Sequence, residues 1–91
     1  MAMTSLAVAA DTWVQASVGE ADKVTIGSIG AAALIVFVGA AEPNGTSRLG
    51  LNVPRASDRE LPIGAEEQVW VRSAIVGVAT IALVMPHPAI G

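Results

Sequence analysis

A chain of 91 residues, 53% apolar and 14% charged, is one domain near the lower limit for a self-sufficient core, and it carries more apolar surface than so small a body can hide. Its formal net charge of −3, with five basic residues scattered among eight acids, excludes the basic stripe that nucleic-acid binding uses to displace counterions. Without cysteine or tyrosine, and with a single histidine, it lacks disulfides, thiolate metal sites and most catalytic repertoires.

The opening MAMTSLAVAADTW has no Lys or Arg ahead of its apolar residues and meets Asp11 early, so it reads as the start of a cytosolically made protein without a secretory leader. The first predicted strands are Leu6 to Ala10 and Thr12 to Val18; in the second, Trp13, Gln15 and Ser17 alternate with Val14, Ala16 and Val18. Gly19-Glu20-Ala21-Asp22 is a turn. Lys23 to Ser28 follows with Val24 and Ile26 on one face, Gly30 breaks it, and Ala33 to Ala40 is the next strand. Glu42-Pro43-Asn44-Gly45-Thr46 is the strongest turn signal, because proline presets φ and Asn-Gly accepts positive φ. Leu49, Leu51 and Val53 then alternate with Arg48, Gly50 and Asn52, as in a strand with one wet face.

Pro54 to Asp58 reads as a polar loop, and Leu61 and Ile63 as a short edge segment around Pro62, closed by Gly64. Gln68 to Ala74 and Val78 to Met85 complete the pattern as a hairpin about Ile75-Val76-Gly77. About eight short strands with turn chemistry between them predict an all-β fold, a single antiparallel β-sandwich or small jelly roll over residues 1–85.

The competing reading is a pair of membrane spans, Val24 to Ala41 and Ser73 to Met85. The first is at the bare minimum length and interrupted by Gly27, Gly30 and Gly39; the second falls well short of the ~20 residues a helical span needs. Both runs are rich in β-branched valine, isoleucine and threonine, which favours pleated structure.

Two strands are apolar on both faces. Leu34, Val36 and Val38 alternate with Ile35 and Phe37, and Ala79, Ile81, Leu83 and Met85 alternate with Val78, Ala82 and Val84. One face can fill the core of a sandwich. The other needs a different cover, and in a two-layer domain without helices a second subunit or larger surface supplies it. Beyond Met85 the prolines flanking His87 are expected to prevent a regular ladder and predict an extended arm over residues 86–91, with Ile90 as its anchor. The interface candidates are therefore Phe37, Trp70, Ile81, Leu83, Met85, Pro86 and Ile90.

Catalytic chemistry has no foothold in this pattern. His87 sits between prolines with nothing expected to hold its tautomer, and the adjacent Glu66 and Glu67 are not a facing pair of carboxylates. Asp58, Glu60, Glu66 and Glu67 do not match the spacing of a calcium loop, and GSIG lacks the Lys-Ser/Thr pair of a phosphate loop. Neither an enzyme activity nor a cofactor nor a metal is expected. Trp13 and Trp70 invite a sugar-stacking reading, but core packing is the default, with an interface anchor as a further alternative; Arg72 shares the strand face of Trp70, which suggests a partly exposed, amphipathic face with cation stacked on ring.

Two stretches, TWVQASVGEADKVTIGSIGAAALIVFVGAAEPNGTSRLGLNV and RELPIGAEEQVWVRSAIVGVATIALV, resemble small β-sandwich virion proteins encoded among the head genes of tailed bacteriophages. The matching elements are Thr12-Trp13, Val36 to Ala40, Leu61 to Gly64, and Val69 to Ser73, and the resemblance extends from about Thr12 to Val84. It implies a capsid decoration or cement protein, or a related head or fibre component, made in the host cytoplasm. Such a protein is a homo-oligomer, a trimer by preference, and its partner is the major capsid protein on the outer capsid surface. The unusually apolar final strands and the MPHPAIG tail depart from that pattern.

Overall fold

The β-branched runs form strands. A computed structural model describes residues 4–16, 18, 21–43 and 50–88, and these contain β1 (Thr4–Val8), β2 (Val14–Ala16), β3 (Ala21–Ser28), β4 (Leu34–Gly39), β5 (Leu51–Val53), β6 (Asp58–Pro62), β7 (Gln68–Ser73) and β8 (Thr80–Pro88). No helix occurs among the described residues. The front sheet runs β1-β8-β3-β6 and the back sheet β2-β7-β4-β5.

The pairings reveal how the chain builds these two layers. β1 pairs with β8, β2 with β7, β3 with β6 and β4 with β5, all antiparallel. The molecule is thus one long two-stranded ribbon with its tip between β4 and β5. The ribbon folds over on itself so that β3 also meets β8 and β4 also meets β7. This is the eight-stranded jelly roll, one of the two predicted architectures.

Two expectations need correction. β7 and β8 do not form a hairpin: β7 lies between β2 and β4 in the back sheet, β8 between β1 and β3 in the front. The connection 74–79 crosses from one layer to the other, and six residues reach easily over the ~10 Å between packed sheets. Nor do the two prolines stop the ladder, because Pro86, His87 and Pro88 continue β8 opposite Val24, Lys23 and Ala21. The bond from the Ile29 N–H to the Ile81 carbonyl (3.3 Å) fixes the phase, so that odd-numbered residues of β8 exchange bonds with β3. Pro86 therefore has its missing N–H on the other side, past the Thr4↔Val84 rung where the described pairing with β1 ends. By the same phase Pro62 on the edge strand β6 turns its nitrogen outward, as the bond from the Ile63 N–H to the Asp22 carbonyl requires.

The predicted turns at Gly19-Glu20 and Asn44-Gly45-Thr46, the strand positions Ser17, Arg48 and Leu49, and Ile90 lie outside the described residues. Ala21 and Asp22, expected in a turn, open β3, with a register irregularity against β8 between Ala21 and Lys23.

Period-two alternation decides the core. From the front sheet Val8, Val24, Ile26, Leu61, Ala82 and Val84 face Ala16, Leu34, Val36, Val53, Val69 and Val71 of the back sheet, all buried. Each large aliphatic in this layer is stabilising by about 1.5–3 kcal/mol relative to an exposed position.

Candidate interaction surface

The same alternation that buries Ala82 and Val84 turns Ile81, Leu83, Met85 and His87 outward on β8. β8 is a central strand, so these residues stand in the middle of the front face. Across the register Ala7 lies opposite Ile81, Gly27 opposite Leu83 and Thr25 opposite Met85. Leu83, Met85 and Pro86 are half-buried by their sheet neighbours, whereas Ile81 is 43% exposed and Ile29 beside it 55%. Because Gly27 has no side chain, the strip encloses a shallow depression of about 400 Å³ bordered by Thr25, Ile29, Ser57, Asp58, Leu83 and Met85.

The apolar surface continues onto one end of the sandwich. Ile29, Ile75, Val76 and Ile81 are four of the five large apolar residues exposed among the described ones, the fifth being Leu51 on β5. Buried hydrogen bonds hold the connections that carry them. Thr80 Oγ1 donates to the Ala32 carbonyl (3.1 Å) and accepts from the Ala32 N–H (3.2 Å), and Ser28 Oγ donates to the same carbonyl (2.8 Å). One threonine side chain thus serves Ala32 as a strand neighbour would. Gly30 is required there, since a Cβ on it would lie 2.3 Å from Thr80 Oγ1 and 2.4 Å from the Ile81 nitrogen. Asp11, at φ 60°, accepts from the Gly77 N–H (2.9 Å) and ties the β1–β2 connection to residues 74–79.

At the opposite end of the strip the surface is polar. Thr25 Oγ1 lies 2.8 Å from His87 Nε2, and Glu60 Oε2 lies 3.9 Å from the same nitrogen. The sheet thus does position the imidazole, contrary to the expectation that nothing would hold it. Both neighbours crowd one ring nitrogen, however, while a nucleophile relay needs one partner on each side of the ring. Glu66 takes φ 64° in the β6–β7 connection, and Glu67 accepts from the Gly64 N–H (2.6 Å) to close it. Among the described residues no three His, Cys, Asp or Glu side chains gather as metal ligands, and no helix is long and apolar enough to cross a membrane.

The outer face of the back sheet packs both tryptophans, as their default reading expects, and corrects the expected exposure of the face that Trp70 shares with Arg72. Trp13, Ile35 and Trp70 form a second buried cluster with half-buried Phe37 and Ala74 packed against it. Phe37 meets Trp13 edge-on at 6.3 Å and Trp70 at 6.4 Å between ring centres. Arg72 is 4% exposed and lies over the Trp13 ring at 5.8 Å, so the cation stacks on Trp13 and the face is covered. Both indoles are 6% exposed, which leaves neither as a platform for a sugar ring.

Of the interface candidates, the fold brings Ile81, Leu83 and Met85 together on the strip, turns Pro86, in phase with Ala82 and Val84, to the other face of β8, and places Phe37 and Trp70 in the second cluster on the outer face of the back sheet. Sequence reasoning missed Ile29, Ile75 and Val76 because they fall in breaks between strands. Their one signal is that residues of that type are seldom placed in turns without a reason. Compared with family models, curated proteins and solved structures, the chain matches none.

Proposed function

We propose that this protein is a structural subunit that acts by docking, without catalysis, through the front face of the sandwich. The observation that carries the reading is the central strand β8, whose Ile81, Leu83 and Met85 face away from the core where a two-layer fold has no third layer. Apolar residues in the middle of an exposed sheet face are what an obligate partner would cover. The sequence resemblance to virion head proteins supplies the partner: the outer surface of the major capsid lattice of a tailed bacteriophage. There a decoration protein stabilises the expanded shell because it binds that state alone and shifts the equilibrium toward it.

The test is co-sedimentation with expanded capsids. The parent protein should pellet with the shells and raise their resistance to heat, and Ile81→Asp should abolish both while keeping its β-type circular dichroism. Failure of the parent to bind, or full binding by a folded Ile81→Asp, would sink the proposal. The sugar-binding alternative finds no comparable support, since the tryptophans it relied on are buried.

A further inference from the structure

A sheet edge presents unpaired N–H and C=O groups, and natural sheets blunt their edges with charge, proline, bulges or short strands. Three of the four edges here are blunted. β6 carries Asp58, Arg59, Glu60 and Pro62, while β2 and β5 are three residues long. β1 is different: Thr4-Ser5-Leu6-Ala7-Val8 has five residues, no charge, no proline and an unbroken register with β8.

The phase of the front sheet identifies which groups are left over. Even-numbered residues of β8 exchange bonds with β1, so Leu6 bonds to Ala82 and Val8 to Thr80, and the backbone groups of Ser5 and Ala7 point out of the sheet. Among the described residues none pairs with them. Both side chains are small and exposed, which gives a second strand room to approach.

We propose that β1 pairs antiparallel with β1 of a second copy about a two-fold axis, joining two front sheets into one of eight strands. The register is set by the outward groups. Ser5 of each copy exchanges bonds with Ala7 of the other, and Leu6 faces its own counterpart at the axis. A like strand is the fitting occupant because an uncharged edge meets itself without repulsion, whereas the β6 edge of another copy would bring three charged side chains and a proline. On the outer face the two apolar strips then adjoin through Ala7, next to Ile81 in each copy. The two-fold pairing replaces the three-fold arrangement that the resemblance implies, and it does not rest on shell binding, since it is tested with no capsid present.

A five-residue pairing is small beside the ~1,200 Å² at which stable interfaces begin, so the dimer is weak and concentration-dependent. Sedimentation equilibrium of the full chain from about 10 μM to 1 mM should show the mass rise from monomer toward twice that value. Ala7→Pro removes an outward N–H while leaving the β1–β8 ladder intact, and should remain monomeric with an unchanged denaturation midpoint. The parent has no cysteine, so single replacements report the register cleanly. Under oxidation Leu6→Cys should cross-link, its Cα atoms being about 4.5 Å apart in a non-hydrogen-bonded pair, and Ser5→Cys should not. A parent that stays monomeric throughout, a trimer, a dimer that survives Ala7→Pro, or the absence of a Leu6→Cys cross-link would each overturn the proposal.

Discussion

Removing the hydroxyl of Thr80 tests how the apolar end of the sandwich is held. Thr80→Val keeps the shape and the β-branching but strands the Ala32 N–H, whose bond to Thr80 Oγ1 is 3.2 Å long and buried. Ala32 is 0% exposed and Thr80 6%, so water cannot take over, and an unsatisfied buried donor costs about 1–3 kcal/mol. Ser28→Ala is milder. It removes a donor to the Ala32 carbonyl, which still accepts from Thr80, so the loss is about 0.5–1.5 kcal/mol, the net worth of one hydrogen bond.

In the double variant the carbonyl loses both donors at once, and the combined cost should exceed the sum by roughly 1 kcal/mol, as expected for residues in one network. Urea denaturation of the four proteins, with m values compared to confirm a common unfolded state, measures all three quantities. For a chain of this size about 2 kcal/mol corresponds to a melting temperature lower by roughly 8–16 °C. A neutral Thr80→Val, a Ser28→Ala that costs more, or strict additivity would refute the reasoning.

Gly30→Ala should cost about 3 kcal/mol in the same assay, because its Cβ would strike the Ile81 backbone; Gly27→Ala, whose Cβ finds Leu83 and Asp58 at ordinary distances of 3.5 and 3.6 Å, should stay within about 1 kcal/mol of the parent. Neighbouring positions on β8 should separate sharply. Ile81→Asp should change stability by no more than about 1 kcal/mol, while Val84→Asp, three residues on and 2% exposed, should cost more than about 4 kcal/mol or prevent folding. Tryptophan fluorescence should be blue-shifted and resistant to iodide in the native protein, and should shift red with the main unfolding transition. A red, readily quenched native spectrum would contradict the burial of Trp13 and Trp70.

Strand identity was legible because β-branched residues and glycine breaks are local signals: Val24 with Ile26 and Val69 with Val71 are enough to mark core-facing strands. Partnering was not. A turn at Ile75-Val76-Gly77 has the same local chemistry whether the next strand lies alongside or in the opposite layer, and only the whole ribbon decides that β8 goes to β1 and β3. The start of β6 was hard to see because Asp58, Arg59 and Glu60 are the charges that keep an edge strand from aggregating, so that Asp58 reads as the end of a loop and only Leu61 to Ile63 as an edge segment. For Pro86, sequence counts a missing donor without saying which way it would have pointed. On β8 alternation alone turns Ile81, Leu83 and Met85 away from the core, whereas Trp70 and Phe37 stand on the outer face of the other sheet, packed with Trp13 and Ile35. A sheet's outer face can be covered by its own chain, and nothing in the local pattern distinguishes that from exposure.

The ribbon topology also sets an order of events during synthesis. Of the eight described strands β1 is made before the others and its partner β8 after them, so β1 must wait without that partner until the other seven have emerged. Among the described strands the one pairing between consecutive members is at the tip, between β4 and β5, and closure spreads outward from there against a mounting loop-entropy barrier. Folding should accordingly be slow for so short a chain, and the newborn molecule spends that interval with its least protected strand available to any neighbour on the same polysome.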